Sequence, residues 1–278
     1  MHTLVIDCNY LCHRARHTTG ELIYHGQHTG VLHGFFTQVM PLLYKYRPDR
    51  LVFTWDSRRS HRRKRFPWYK DRPKTASAID PTEDFRQFNL LRDHLLFEAG
   101  FQNVFVKTGF EADDLMAQIA ATQERTTIVT GDEDLYQVLS PLVSIYSPGK
   151  KKEITRASFI EEYGITPAQW IDVKKIAGCM SDMIPGVPGV GEKTAIKYIR
   201  GELKKTHKTY QAILASTEII ERNDWLVRLP LPGTPRIQIR HDAVDGAGFR
   251  ALCTRFGLFK LMNTIPEWET YYGTYLGE

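Results

Sequence analysis

The chain has no run of about 18 or more apolar residues, so the sequence offers no helical membrane span. Its first residues, MHTLVIDCNY, lack a basic segment followed by an apolar core and meet an acid at Asp7, so no secretory leader is expected. Cysteine is scarce: Cys8, Cys12, Cys179 and Cys253 form no CxxC pair, which excludes a disulfide framework and suggests reduced thiols in a cytoplasmic protein. HExxH is absent, although His2, His13, His17, His25, His28 and His33 crowd the first 33 residues; these read as ordinary polar positions. Asp7-Cys8-Asn9 lacks the second Asp of a DxD phosphatase nucleophile motif. Repeats and low-complexity tracts are missing too. What remains is 278 residues with 42% hydrophobic and 25% charged content, enough for one large domain or two modest ones with a real core.

Charge is unevenly spread. The net value is +5, yet residues 58–74, RRSHRRKRFPWYKDRPK, hold nine Arg/Lys against one Asp, so the rest of the chain is mildly acidic. Phe66, Trp68 and Tyr69 are interleaved with these cations. Arginines can take phosphates while rings take bases, so the pattern suits a single-stranded nucleic acid beside an acidic site.

The N-terminal half alternates strand and helix patterns. Strands are expected at 3–8, 50–56, 103–108 and from 126, with amphipathic helices at 31–46, 83–100 and 111–124. This predicts an α/β fold with a mostly parallel sheet flanked by helices. Asp7, Asp56, Asp132 and Asp134 each follow a strand's carboxyl end. Glu111, Asp113 and Asp114 follow the third strand and open a helix. A parallel sheet gathers such ends into one crevice. Anions at that density need neutralising, and hard divalent cations with oxygen ligands, Mg²⁺ or Mn²⁺, do so.

From about residue 154 the texture changes. Two short helices are expected, broken at Gly164–Pro167, and then MIPGVPGVGEKTAIKYI (183–199). Its glycines permit tight turns and close approach, and a helix starts near Glu192: a helix–hairpin–helix pattern whose amides, with Lys193, face a phosphate. PRIQIR (235–240) alternates like a strand, and 248–265 reads as helical.

GFEADDLMAQIA, VTGDEDLYQVLS and SDMIPGVPGVGEKTA resemble the 5′-nuclease family, which includes bacterial and phage flap endonucleases and the 5′–3′ exonuclease domain of bacterial DNA polymerase I. TGVLHGF, VFTWD, FPWYKDRP and GITPAQWIDVKKIAG extend the resemblance, in family order, from about residue 3 to about 265. The length matches a free-standing member without a polymerase module. The resemblance implies a PIN-like nuclease domain at 1–153 with a helical arch at about 58–82. It places a helix–three-turn–helix DNA-binding region, and a C-terminal segment packing back on the nuclease domain, at 154–278. It implies cleavage of 5′ flaps, nicks, gaps and 5′ ends of DNA, or RNA:DNA hybrids, by a monomer using two divalent ions.

Carried over position by position, the first metal site would use Asp7, Asp56, Glu111, Asp113 and Asp114. The second would use Asp132, Asp134 and Asp182. Lys70, Asp113 and Arg14 would act in catalysis. Arg58, Arg62, Arg63, Arg65, Tyr69, Lys70 and Arg72, with Gly189, Gly191, Lys193 and Thr194, would contact DNA. Carbonyls of Ile176, Ala177, Pro185, Val187 and Val190 would hold K⁺. Two departures stand out. Cys179 replaces a carboxylate before Ser181-Asp182, and a thiol is a poor ligand for Mg²⁺. The motif Tyr69-Lys70-Asp71-Arg72 is one residue shorter than usual. The alternatives are a catalytically weakened DNA-binding paralogue and a PIN-class RNA nuclease; the long arch and the glycine hairpin speak against the second.

Overall fold

A computed structural model describes residues 1–71, 81–122, 124–244 and 246–263. The chain forms two compact bodies. One gathers Met1–Trp55 with the described parts of Thr75–Val106 and Gln238–Glu278; the other gathers the described parts of Asp56–Lys74 and Lys107–Ile237. The strands are mostly parallel and flanked by helices.

In the first body, Arg50–Trp55 lies between His2–Asp7 and Val104–Val106, all parallel, with Val5 opposite Val52 and Thr54 opposite Phe105. Leu4, Val5 and Ile6 are fully buried, as are Leu51, Val52 and Phe53. These continuous apolar runs are what a strand covered on both faces requires. Asp7 caps the helix Cys8–Thr19, its carboxylate accepting the Tyr10 N–H at 3.0 Å. That helix escaped the sequence reading; Gly30–Tyr46 is the first of the expected helices, with Pro41 inside it. The expected helix at 83–100 is a composite: Pro81–Leu90, a π-helical turn Leu91–Leu95, then Leu96–Glu98. A glycine is required at Gly100, because a Cβ there would meet the Ala243 carbonyl oxygen at 2.0 Å.

The expected strand at 235–240 is absent. Its end is tied by polar side chains instead: Arg240 N–H donates to Asn103 Oδ1 at 2.7 Å, and Asn103 Nδ2 donates to the Arg240 carbonyl at 2.9 Å. Gly246–Phe256 and Phe259–Met262 form the expected C-terminal helical stretch as two pieces. The sequence reading also missed the ribbon of Ile23–Tyr24 and Gln27–His28, too short to show a period.

In the second body Arg125–Val129 and Val143–Ser147 run parallel, and Lys152–Ile154 returns antiparallel. The last two strands escaped the sequence reading. Val143–Ser147 shows the buried–intermediate alternation of a half-covered strand. The helix Ala112–Ala120 follows Glu111, and a 3₁₀ turn, Glu133–Val138, follows Asp132. Arg156–Tyr163 and Pro167–Ala177 are the two expected helices, broken by Gly164 in the left-handed region. Phe159 packs edge to face on Tyr136 and Trp170, Tyr163 meets Trp170 at a tilt, and Trp170 Nε1 donates to the Glu133 carbonyl at 2.8 Å. Glu192–Ile199, Lys208–Ala215 and Thr217–Val227 complete this body. Among the described residues no helix is long and apolar enough to cross a membrane.

Candidate active site

Lys70 is the hub of the acidic cluster in the second body. It follows a turn after the short helix His61–Arg65 and adopts φ 53°, a left-handed conformation costly for a non-glycine residue. Its N–H donates to the Asp182 carbonyl at 3.0 Å. Its Nζ lies 2.8 Å from Glu111 Oε2 and 3.6 Å from Asp182 Oδ2. Burial would discharge this amine, but Glu111, Tyr69, Asp182 and Asp113 outweigh it and hold the ammonium charged.

Glu111 takes three donors: Ser60 Oγ at 2.7 Å, Tyr69 Oη at 2.9 Å and Lys70 Nζ. Burial alone would raise its carboxyl; Lys70, Arg62 and the hydrogen bonds reverse this and bring it down to about 2. Asp56, the first residue past its strand, accepts the Ala112 N–H at 2.8 Å. Desolvation raises its carboxyl despite the pull of Lys70. Asp132 caps the 3₁₀ turn through the Asp134 N–H at 2.8 Å. Burial, then the charge of Asp134, pushes its carboxyl up to about 7. Ligand atoms of Asp134, Cys179 and Asp182 lie within 4.8 Å of one another. The thiol therefore stands where a third ligand of that group would. Burial and Asp134 push it up to about 11, and its Sγ is 2.9 Å from Ser181 Oγ.

Three expectations are corrected. Arg62, expected to contact DNA, is buried at 2% exposure. Its Nη1 and Nη2 fork onto Asp114 at 2.6 and 2.8 Å, while Nε and Nη2 donate to the carbonyls of Leu226 and Arg228. Asp114, expected to hold a metal, is fully buried, and its two oxygens also accept the N–H groups of Glu111 and Leu231. Four donors on two oxygens leave neither for a cation. The acid beside it, Asp113, is half-buried. Tyr69 is buried too, so its ring cannot stack on a base; it aims its hydroxyl at Glu111.

Arg58, Arg63 and Arg65, expected to contact DNA, are exposed. Arg63 donates to the Lys70 carbonyl at 3.0 Å and so braces the turn that presents the lysine. Arg65 lies over the Trp225 ring at 4.7 Å. Arg72 lies outside the described residues, as does most of the expected arch beyond residue 71. Asp7 and Arg14 belong to the first body; Arg14 is half-buried on the helix Cys8–Thr19.

The hairpin is built on Gly178, whose φ is 73°. A Cβ there would meet the Ile184 carbonyl oxygen at 2.3 Å, across the small ribbon of Gly178–Cys179 and Ile184–Pro185. Gly189, Gly191 and Lys193 are exposed, Thr194 is half-buried, and Gly191 caps Glu192–Ile199 with no side-chain hydrogen bond. Of the five carbonyls expected to bind K⁺, Pro185 already accepts Arg222 Nη2 at 2.7 Å and Asn223 Nδ2 at 3.0 Å, which saturates it. Ile176 accepts the Val187 N–H, and Val187 accepts the Val190 N–H.

Sequence reasoning overlooked Lys174. Its Nζ lies 3.0 Å from Asp134 Oδ1 and 3.3 Å from Glu192 Oε2, and the residue is 7% exposed. Helical spacing from Trp170 and Ile171 could have marked its inward face.

With these contacts in place, the relatives become informative. A family model described as the 5′–3′ exonuclease N-terminal, resolvase-like domain matches residues 2–164. The chain belongs to this exonuclease family. The 5′–3′ exonuclease of Bacillus subtilis is 35% identical over 183 residues, which cover 63% of this chain and 60% of that protein. The thermostable DNA polymerase I of Thermus thermophilus is 36% identical over 99% of this chain but only 35% of its own length. For the Mycobacterium leprae DNA polymerase I the shares are 70% and 22%, at 36% identity. The chain thus spans about a fifth to a third of these polymerases. The T5 D15 protein co-crystallized with metal ions has the same fold, with a TM-score of 0.70 at 22% identity, covering 96% of this chain and 99% of that one. Human GEN1 bound to Holliday junction DNA aligns at a TM-score of 0.58 and 17% identity, over 99% and 74%.

Proposed function

We propose that this exonuclease-family chain is a structure-specific 5′ nuclease, hydrolysing phosphodiester bonds at 5′ flaps, nicks, gaps and 5′ ends of DNA. RNA:DNA hybrids are further candidate substrates. The observation that carries the reading is the electrostatic network around one ammonium. Lys70 pairs with Glu111 and Asp182 and interacts with Asp56, Asp113 and Asp132. Carboxylates so dense are stable only with cations among them.

The donor set fits divalent ions. Oxygen ligands of Asp56, Glu111 and Asp113 suit Mg²⁺ or Mn²⁺ in a first site, for which Asp7 of the first body stays a candidate from the family resemblance; Asp132, Asp134 and Asp182 with the Cys179 thiol suit a weaker second one. Such ions would activate water and stabilise a leaving 3′-oxygen. The chain's own groups do the rest. Lys70, presented by its turn, neutralises a non-bridging phosphate oxygen, and the exposed Arg58, Arg63 and Arg65 draw in the single strand. Arg14 remains a candidate for phosphate contact from the first body. Arg62 and Asp114 form the frame beneath. Gly189, Gly191, Lys193 and Thr194 present backbone and charge to a duplex phosphate. A K⁺ ion there would rest on Ile176, Ala177, Val187 and Val190, without Pro185.

We read 1–153 as the nuclease domain and 154–278 as the DNA-binding region plus a C-terminal segment that belongs with the nuclease domain, acting as a monomer in the cytoplasm. The test is an end-labelled 5′-flap duplex with Mg²⁺, Mn²⁺ or chelator. Cleavage that needs the metal and leaves a 5′-phosphate is expected, as is loss of cleavage with retained binding in Asp113→Asn. Chelator-insensitive cleavage would overturn the assignment. Cys179 favours one second reading, a weakened DNA-binding paralogue, which the same assay would reveal as binding without cleavage.

A further inference from the structure

Lys174 projects from the helix Pro167–Ala177, which is held at both ends. Thr166 and Gln169 form a capping box at its start, and Gly178 turns the chain sharply at its end. The lysine stem is packed away from solvent, and its Nζ is 5.2 Å from the centroid of the fully buried Trp170 ring. Trp170 is itself pinned by its bond to the Glu133 carbonyl. An ammonium so placed cannot swing out into water. It sits 3.0 Å from Asp134, one of three residues whose ligand atoms converge within 4.8 Å. Glu192, at 3.3 Å, supports it from the first turn of the hairpin helix. Across the same group, Lys70 Nζ lies 3.6 Å from Asp182.

We propose that Lys174 is a resident cation of the second acidic pocket and sets its affinity for divalent ions. The proposal rests on the metal-dependent reading above. The ammonium already compensates Asp134 and occupies one of its oxygens. A divalent ion brought to Asp134, Cys179 and Asp182 would be repelled by a positive charge that cannot leave. Cys179 compounds the effect by offering a sulfur in place of a third carboxylate. Binding at this pocket therefore depends on added negative charge, which a substrate phosphate supplies. The second site fills with DNA rather than before it.

The test counts Mn²⁺ bound to the full chain without DNA, by the loss of the free-ion electron paramagnetic resonance signal. Wild type should hold one ion tightly and a second weakly. Lys174→Met preserves the apolar stem beside Trp170 and removes the charge; it should tighten the second ion by roughly tenfold or more. Lys174→Gln should act in the same direction, and Lys174→Arg should stay at the wild-type value. Near-UV circular dichroism shows which variants keep native packing, and Lys174→Gln decides the matter should Lys174→Met lose it. An unchanged second affinity in a natively packed charge-removing variant overturns the proposal while leaving the nuclease reading intact. A chain that binds no Mn²⁺ in any form overturns both.

Discussion

At the scale of single residues, neighbouring acids have opposite fates. Asp113 and Asp114 are adjacent in sequence, and nothing in the sequence separates them. Helix geometry turns Asp114 inward to Arg62, while Asp113 stays half-buried. Sequence could show that acids open this helix; it could not show which one had four donors waiting. The buried pair makes a sharp prediction. Arg62→Met leaves Asp114 charged and uncompensated, so urea unfolding should show a loss of roughly 3–5 kcal/mol. Adding Asp114→Leu should restore part of it.

Asp132 and Glu111 show the same divergence in titration. The Asp132 carboxyl is raised to about 7, so between its ordinary value and 7 the folded chain holds a proton that the unfolded chain has lost. Its charge therefore costs stability above about pH 7, and the cost vanishes at low pH. In chelator, Asp132→Asn should melt higher than wild type at pH 8 and alike near pH 4, since Asn still caps the 3₁₀ turn. Glu111, lowered to about 2, behaves oppositely. Its contribution is complete above its ordinary value and is lost as pH falls through 2, so Glu111→Gln should melt lower at pH 8. Calorimetry at the two pH values checks both signs.

At the scale of elements, caps were legible and pairing was not. Thr166, Pro167 and Gln169 announce the start of a helix, and Gly164 and Gly178 announce ends, because each residue type answers a local backbone demand. Lys152–Ile154 is different. It lies within the basic stretch GKKKEITR, which has no apolar run, and only its partner Val143–Ser147 makes it a strand. The alternation at 235–240 misled in the opposite way: its residues have a strand period but no partner strand, and Asn103 and Asp242 tie the end of the segment instead.

The hairpin glycines allow a test at this scale. Gly178 has φ 73° and no room for a Cβ, whereas Gly191 has φ −91° and nothing within 4 Å of a built Cβ. Gly178→Ala should therefore lose roughly 1–3 kcal/mol in urea unfolding. Gly191→Ala should stay within about 0.5 kcal/mol of wild type and yet weaken duplex binding, because a methyl would stand between the helix N-terminus and a phosphate. A stable Gly191→Ala with unaltered duplex affinity in a fluorescence anisotropy titration would remove that glycine from the interface.

At the scale of the whole molecule, the distribution of charge would govern encounter with the proposed DNA substrate. Nine cations between residues 58 and 74 mark a polyanion partner, and their clustering was plain in the sequence. Their division of labour was not, because it depends on which face of a five-residue helix meets the core. Arg62 is spent on Asp114 and Lys70 is presented within the acidic cluster beside Glu111 and Asp182, while Arg58, Arg59, Arg63, Lys64 and Arg65 face solvent. Each exposed cation that meets a phosphate of a single strand releases counterions and adds about 0.7 to the slope of log affinity against log salt. Replacing Arg58 and Arg65 by Gln should therefore flatten that slope by about 1.4 on a 5′-flap substrate, with little change in melting temperature. Arg62→Met makes the opposite trade: it lowers the melting temperature and, wherever the chain remains folded, leaves the slope where it was. If the flap affinity of the Arg58→Gln, Arg65→Gln chain follows the wild-type salt dependence, these arginines only decorate the surface, and the phosphates are read elsewhere.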